Sequence, residues 1–273
     1  MTMAFAQHAD RSQVGTIDDA TFDNTPNPKF YSPSAQHEEG LQRSLYALTA
    51  NKGAVLISGE IGCGKTLLSR ELILKLPRHR FDVALIANPT FEANQFLKEL
   101  LYQLGLPANG SKIEMLHQLN DHLLKNSQNG ITTVVMVDEA QAIQDEQIFE
   151  ELRLLLNFQL NDRFLLTLVL LGQPELQDRL QAIPQLAQRI AVRSHLVPLN
   201  EEETAAYITF RLKVAGCREE KFTPEALAMI YQQTGGVPRK INTLCDWCVV
   251  LASKDQAEHI DQVVVARAIH NVL

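Results

Sequence analysis

The stretch that most constrains this chain is Gly59-Glu60-Ile61-Gly62-Cys63-Gly64-Lys65-Thr66, which follows the apolar run Ala54-Val55-Leu56-Ile57-Ser58 and opens a segment with helical periodicity. It satisfies G-x-x-x-x-G-K-[ST] at every fixed position, in the strand, loop and helix setting that the pattern requires. Glycines lack Cβ atoms, so the backbone here can curl into a concave nest whose N–H groups turn towards a polyphosphate. A helix starting near Lys65 aims the positive end of its dipole at the same anion. Lys65 adds a point charge for the β and γ phosphates, and the Thr66 hydroxyl suits a Mg²⁺ ligand. A nucleoside triphosphate is the expected ligand, cradled from Gly59 through to Leu67.

A second stretch carries carboxylates to the same chemistry. Ile131-Thr132-Thr133-Val134-Val135-Met136-Val137 is a nearly continuous apolar, β-branched run, as a parallel strand buried on both faces requires. It ends in Asp138-Glu139-Ala140-Gln141. Adjacent carboxylates at the end of a central strand are costly unless they serve a metal or a water. Asp138 suits a hold on Mg²⁺, and Glu139 can reach the water that attacks the γ-phosphate. A further apolar run over residues 164–171 ends at Gly172-Gln173-Pro174. That places Gln173 at the strand edge where doubly wound sheets bind ligands, with an ordinary loop-start glutamine as the plain alternative.

The rest of the chain alternates in the same way. Strands are expected over residues 54–58, 81–87, 131–137 and 164–171, with a last one ending near 197, and helices over 36–50, 66–76, 92–104, 111–125 and 146–157 lie between them. This predicts a P-loop parallel-sheet αβα domain over residues 27–198, after a loose, flexible polar lead-in over 1–26 without sustained periodicity. From 198 onward the pattern is helical, over 201–215, 223–233, 237–252 and 261–271, which predicts a small all-helical domain over 199–273. Within it, Gly235-Gly236-Val237-Pro238-Arg239 puts an arginine on a first helical turn behind flexible glycines, so that Arg239 could approach a nucleotide. An exposed arginine is the plain alternative. Phe30, Tyr31 and His37 precede the first strand and are read as packing, with adenine neighbours as the other option.

Composition narrows the class. With 45% hydrophobic and 21% charged residues the chain is an ordinary globular protein, and a net charge of −7 argues against a broad basic face for nucleic acid. No apolar run approaches the roughly 18 residues that span a bilayer, and the first 25 residues lack a signal-peptide core, so a cytoplasmic protein without direct membrane insertion is expected. Cys63, Cys217, Cys245 and Cys248 are too unevenly spaced for a disulfide framework, and Cys245-Asp246-Trp247-Cys248 lies in a helical run where core packing is expected.

The order of these features resembles an AAA+ ATPase with its helical lid. More narrowly, Gly59-Glu60-Ile61-Gly62 with Gly64-Lys65-Thr66, Val137-Asp138-Glu139-Ala140-Gln141, Leu171-Gly172-Gln173-Pro174-Glu175-Leu176 and Gln188-Arg189-Ile190 resemble the general secretion pathway protein A (ExeA-type) ATPases. The resemblance implies ATP and Mg²⁺ as ligands, with Lys65 on phosphate, Thr66 and Asp138 on the metal, and Glu139 as general base. It puts Gln173 at the sensor-1 position and Arg239 at the sensor-2 position. It also implies that Arg189, or else Arg193, acts as an arginine finger on a neighbouring subunit of a homo-oligomeric ring or filament. The implied role is a switch or assembly factor for an unidentified protein partner in secretion or export. Similar short ATPases help transposases select DNA, which makes an ATP-dependent DNA-binding regulator the alternative.

Overall fold

The computed structural model describes residues 21–217 and 219–272. Two compact units emerge: one groups Ala35–Ile61 with Lys65–Leu196, and the other groups the described part of Met1–Ser34 with Gly62–Gly64 and Val197–Leu273.

The first unit is a five-stranded parallel sheet in the order β2-β3-β4-β1-β5, with β1 Ala54–Gly59, β2 Phe81–Ile86, β3 Thr132–Val137, β4 Leu166–Gly172 and β5 Ile190–Leu196. β1 and β4 are buried at every residue, which is why they read as nearly unbroken apolar runs, whereas the edge strand β2 mixes buried with half-buried positions and the edge strand β5 includes exposed ones. Helices α1 Ala35–Thr49, α2 Lys65–Lys75, α3 Ala93–Gln103, α4 Lys112–Gln128, α5 Gln147–Leu155, α6 Glu175–Gln181 and α7 Pro184–Ala187 alternate with the strands. α4 starts where expected because Ser111 and Glu114 form a reciprocal capping box. Phe96, Leu100, Phe149 and Leu152 pack with Val135, Leu168 and Leu170 in one core. Each such side chain contributes roughly 1.5–3 kcal/mol by leaving water. The register places Ser58 beside Gly172, Gly59 beside Leu196, and Val137 beside Leu170. The carboxyl ends of β1, β3 and β4 therefore form one edge.

The second unit holds α8 Glu201–Val214, α9 Pro224–Thr234, α10 Pro238–Asp255 and α11 Gln262–Val272. Asn200 and Thr223 cap α8 and α9, and Gly235 closes α9 in the left-handed conformation. Tyr207, Ile208, Ile241, Cys245, Cys248 and Val265 share its core. Burial pushes the Cys248 thiol up to about 12 and the Cys245 thiol well above its usual value, so both behave as small apolar side chains, as their helical setting suggested.

Residues 1–20 of the expected lead-in lie outside the described residues, but the part that follows is not loose. Phe22 is buried in the helical core, edge-on to Phe222. The buried Arg211 donates from Nε to the Thr21 carbonyl at 2.6 Å and from Nη2 to the Asp23 carbonyl at 3.0 Å. Its guanidinium also lies 4.6 Å from the centre of the Phe30 ring, which accounts for Phe30 as a packing residue. No helix among the described residues is long and apolar enough to cross a membrane.

Candidate functional site

β1 ends at Gly59 and α2 begins at Lys65, so the intervening loop leaves the carboxyl edge of the sheet and delivers Lys65 and Thr66 back to it. Gly62 and Gly64 have φ of +85° and +94°, which only glycine adopts freely. Gly62 has a second requirement: a Cβ there would fall 2.8 Å from the Arg239 Cβ. The Arg239 amide, on the first turn of α10, donates to the Gly62 carbonyl at 3.3 Å. The middle of the loop thus groups with the helical unit, and with Arg239 in particular.

In the α/β unit Lys65 is buried and donates from Nζ to the carbonyls of Gly59 at 2.8 Å and Glu60 at 3.0 Å. Thr66 Oγ1 donates to Asp138 Oδ2 at 2.8 Å, and the Glu139 amide donates to Asp138 Oδ1 at 2.9 Å. Burial pushes the Asp138 carboxyl above the usual carboxylate range, against the pull of the Thr66 and Glu139 hydrogen bonds. A buried carboxylate whose oxygens accept from a hydroxyl and an amide, both neutral, is a donor set that a hard divalent cation completes. Thr66 and Asp138 accordingly fit Mg²⁺, and the left-handed glycines of the loop fit a phosphate.

Glu139 follows with φ of +52°, a left-handed conformation that costs a non-glycine residue of order 1 kcal/mol or more. Its Oε2 accepts from Gln141 Nε2 at 2.5 Å, while Gln141 Oε1 accepts from the Gln173 amide at 3.0 Å. Arg179 holds the Gln141 carbonyl at 3.0 Å and Glu146 at 2.5 Å, with its guanidinium 4.6 Å from the centre of the Phe149 ring.

Lys65, Thr66, Asp138, Glu139 and Gln173 therefore share the carboxyl edge of β1, β3 and β4, as their motifs predicted. Arg189 does not. It precedes β5, its carbonyl accepts from the Ala54 amide, and it stands at the amino edge of the sheet. There Nη1 reaches the Arg153 carbonyl at 3.3 Å and Nη2 reaches Asn157 Oδ1 at 2.9 Å. Arg193 is turned to the Ala187 carbonyl at 2.9 Å.

Sequence reasoning missed Gln141 as a partner of Glu139, although it stands in the quoted motif, and it missed Arg179 altogether, for which no local signal exists. It also missed the contact of Ser58 Oγ with His195 Nδ1, 2.9 Å apart across β1 and β5.

Comparison with known proteins agrees with this geometry. A family model described as an AAA domain matches residues 48–180. The chain is 41% identical over 245 residues to general secretion pathway protein A of Aeromonas hydrophila, covering 88% of this chain and 44% of that protein. It is 31% identical over 144 residues to an uncharacterised HTH-type transcriptional regulator of Methanocaldococcus jannaschii, covering 51% and 35%. The chain thus spans less than half the length of either relative. Among solved structures, Drosophila ORC bound to DNA superposes with a TM-score of 0.70 at 18% identity, over 98% of this chain and 68% of that one. Cdc6p from Pyrobaculum aerophilum gives 0.70 at 19%, over 94% and 72%. The Aeropyrum pernix ORC2 protein in its ADPNP–ADP complexes gives 0.68 at 18%, over 93% and 71%. At these identities the likeness is one of fold.

Proposed function

We propose that this chain, which matches an AAA-domain family model over residues 48–180 and is 41% identical over 245 residues to general secretion pathway protein A, binds ATP with Mg²⁺ and hydrolyses it to ADP and phosphate. The observation that carries this is the contact of Thr66 with the buried Asp138, with Glu139 beside it at the sheet edge where the phosphate loop begins. Lys65 and the loop amides hold the triphosphate. Thr66 and Asp138 hold Mg²⁺, which when bound draws negative charge from the phosphate oxygens. Glu139 accepts the proton of the water whose oxygen attacks the γ-phosphorus, while the bond to the bridging oxygen breaks and its electron pair leaves with ADP. Gln173 orients the attacked phosphate from the end of β4, and Arg239, whose amide meets the phosphate loop at Gly62, serves as a second sensor of the nucleotide.

Arg189 acts on the site of a neighbouring copy, which makes the protein a homo-oligomeric ring or filament. The support is position: Ile190 pairs with Ala54 and Leu196 with Gly59, so Arg189 lies about 20 Å along the strands from its own phosphate loop. The cycle drives a switch or assembly step on a protein partner in secretion or export, a reading supported by the identity to general secretion pathway protein A. The test is paired substitution. Lys65→Ala abolishes nucleotide binding, whereas Glu139→Gln retains ATP and stalls turnover. Equal loss of binding in both means that the carboxylate is misassigned.

A second reading, an ATP-dependent DNA-binding regulator, is supported by the likeness to Drosophila ORC bound to DNA and by the exposed cluster Arg78, His79 and Arg80 before β2. It requires duplex binding at low salt with a non-hydrolysable ATP analogue, weakening steeply as salt rises.

A further inference from the structure

We infer that Gln141 is a positioning residue for Glu139, a two-armed clip that ties the direction of the Glu139 carboxylate to the end of β4 and thereby sets the rate of hydrolysis. The inference rests on the hydrolytic reading above.

Both arms of the Gln141 side chain are engaged, in opposite senses. Nε2 donates to Glu139 Oε2 at 2.5 Å, and Oε1 accepts from the Gln173 amide at 3.0 Å. One amide group thus joins the second residue after β3 to the first residue after β4. The clip is itself held from behind, because Arg179 binds the Gln141 carbonyl at 3.0 Å and is fixed by Glu146 and the Phe149 ring. The space beside it is tight as well: a Cβ on Gly172 would fall 2.6 Å from Leu176 Cδ2 and 2.8 Å from Gln141 Oε1. A side chain at Gly172 would therefore push the end of Gln141 or of Leu176 aside, a demand separate from any backbone conformation.

Glu139 needs such a clip. Its backbone is left-handed, at φ of +52°, and its side chain is long enough to occupy several rotamers. A base that wanders samples its productive direction for only part of the time, and misplacement by about 1 Å costs about 10²-fold in rate. With Oε2 held by Gln141, Oε1 is the oxygen left to face water. The Gln173 backbone and the Glu139 base are also tied to each other, since the Gln173 amide donates to Oε1 of the same Gln141 side chain whose Nε2 holds Glu139.

Two substitutions separate the arms. Gln141→Met keeps the length and removes both hydrogen bonds. Gln141→Glu keeps the acceptor for the Gln173 amide but sets a second carboxylate against Glu139. Both should lower kcat about 10- to 100-fold while leaving the Kd for ATP within about twofold. In the Glu139→Gln background, Gln141→Met should lower the residual kcat no further, because a residue that acts through Glu139 has nothing left to position. Thermal unfolding and nucleotide titration accompany each variant. Wild-type kcat in Gln141→Glu, or a further loss on top of Glu139→Gln, overturns the clip, as does a fall in ATP affinity that matches the fall in kcat. If instead the unaltered protein has no turnover for Glu139→Gln to stall, the hydrolytic reading itself fails.

Discussion

If Arg189 completes a neighbour's site, two inactive variants should restore each other. Lys65→Ala removes the phosphate charge from a subunit but leaves its Arg189 intact, and Arg189→Ala does the reverse. The register pairs Ala54 with Ile190 and Gly59 with Leu196 across a bulge in β5, so five steps of β1 at about 3.3 Å separate the two pairs, and Arg189 lies one residue further back, about 20 Å from Gly59. No arginine side chain covers that distance, so the residue cannot serve its own loop. An arginine finger contributes about 10³ to 10⁵ in kcat, and Arg189→Ala alone should fall within that range with ATP affinity kept. In a one-to-one mixture that assembles at random through head-to-tail contacts, about a quarter of the composite sites pair an intact loop with an intact Arg189. The mixture should therefore recover about a quarter of wild-type turnover. The assay is steady-state phosphate release against mixing ratio, with co-assembly followed by energy transfer between labelled subunits. Arg189 also bonds Arg153 and Asn157 within its own subunit, and losing those contacts costs about 1–3 kcal/mol of stability. That loss would not be rescued by mixing. Co-assembly without recovery, or full turnover by Arg189→Ala alone, refutes the shared site.

Gly236→Ala should damage the helical unit by several kcal/mol, of the size that marks a strained backbone together with a steric clash, because φ is +73° and its Cβ would lie 1.8 Å from the Leu199 carbonyl oxygen. Gly216→Ala, at φ +89° with nothing within 4 Å, should cost only about 1 kcal/mol, and equal effects of the two in denaturant titrations would discredit the close approach. Asp138→Asn concerns pH. Because burial raises the Asp138 carboxyl above its value of 3.8, the folded state binds the proton more tightly, and ligand-free stability falls as pH rises from 3.8 through the folded value and stays lowered above it. Asn removes that slope, so the variant should be the more stable at neutral pH while losing its stabilisation by Mg²⁺ with ATP, read by thermal unfolding across a pH series. A wild-type slope in the variant would count against it.

The sequence by itself determined the parts whose physics is local. The phosphate loop is legible because Gly62, Gly64, Lys65 and Thr66 act within one turn of chain, and Asp138-Glu139 because carboxylates at the end of a β-branched run have few other uses. The order of strands and helices was legible for the same reason, since burial on both faces writes itself as an apolar run. Tertiary structure decided what pairs across the chain. The order β2-β3-β4-β1-β5 follows from which faces bury best together, and nothing in any single strand states it. Arg211 binds the Thr21 carbonyl across 190 positions, so a polar stretch that reads as loose becomes part of a core. Gln141 meets Gln173 only because β3 and β4 end side by side, and Arg189 is separated from Lys65 only because β5 runs parallel to β1. Hydrogen bonds and distances of this kind depend on register, which is set by the packing of the whole sheet.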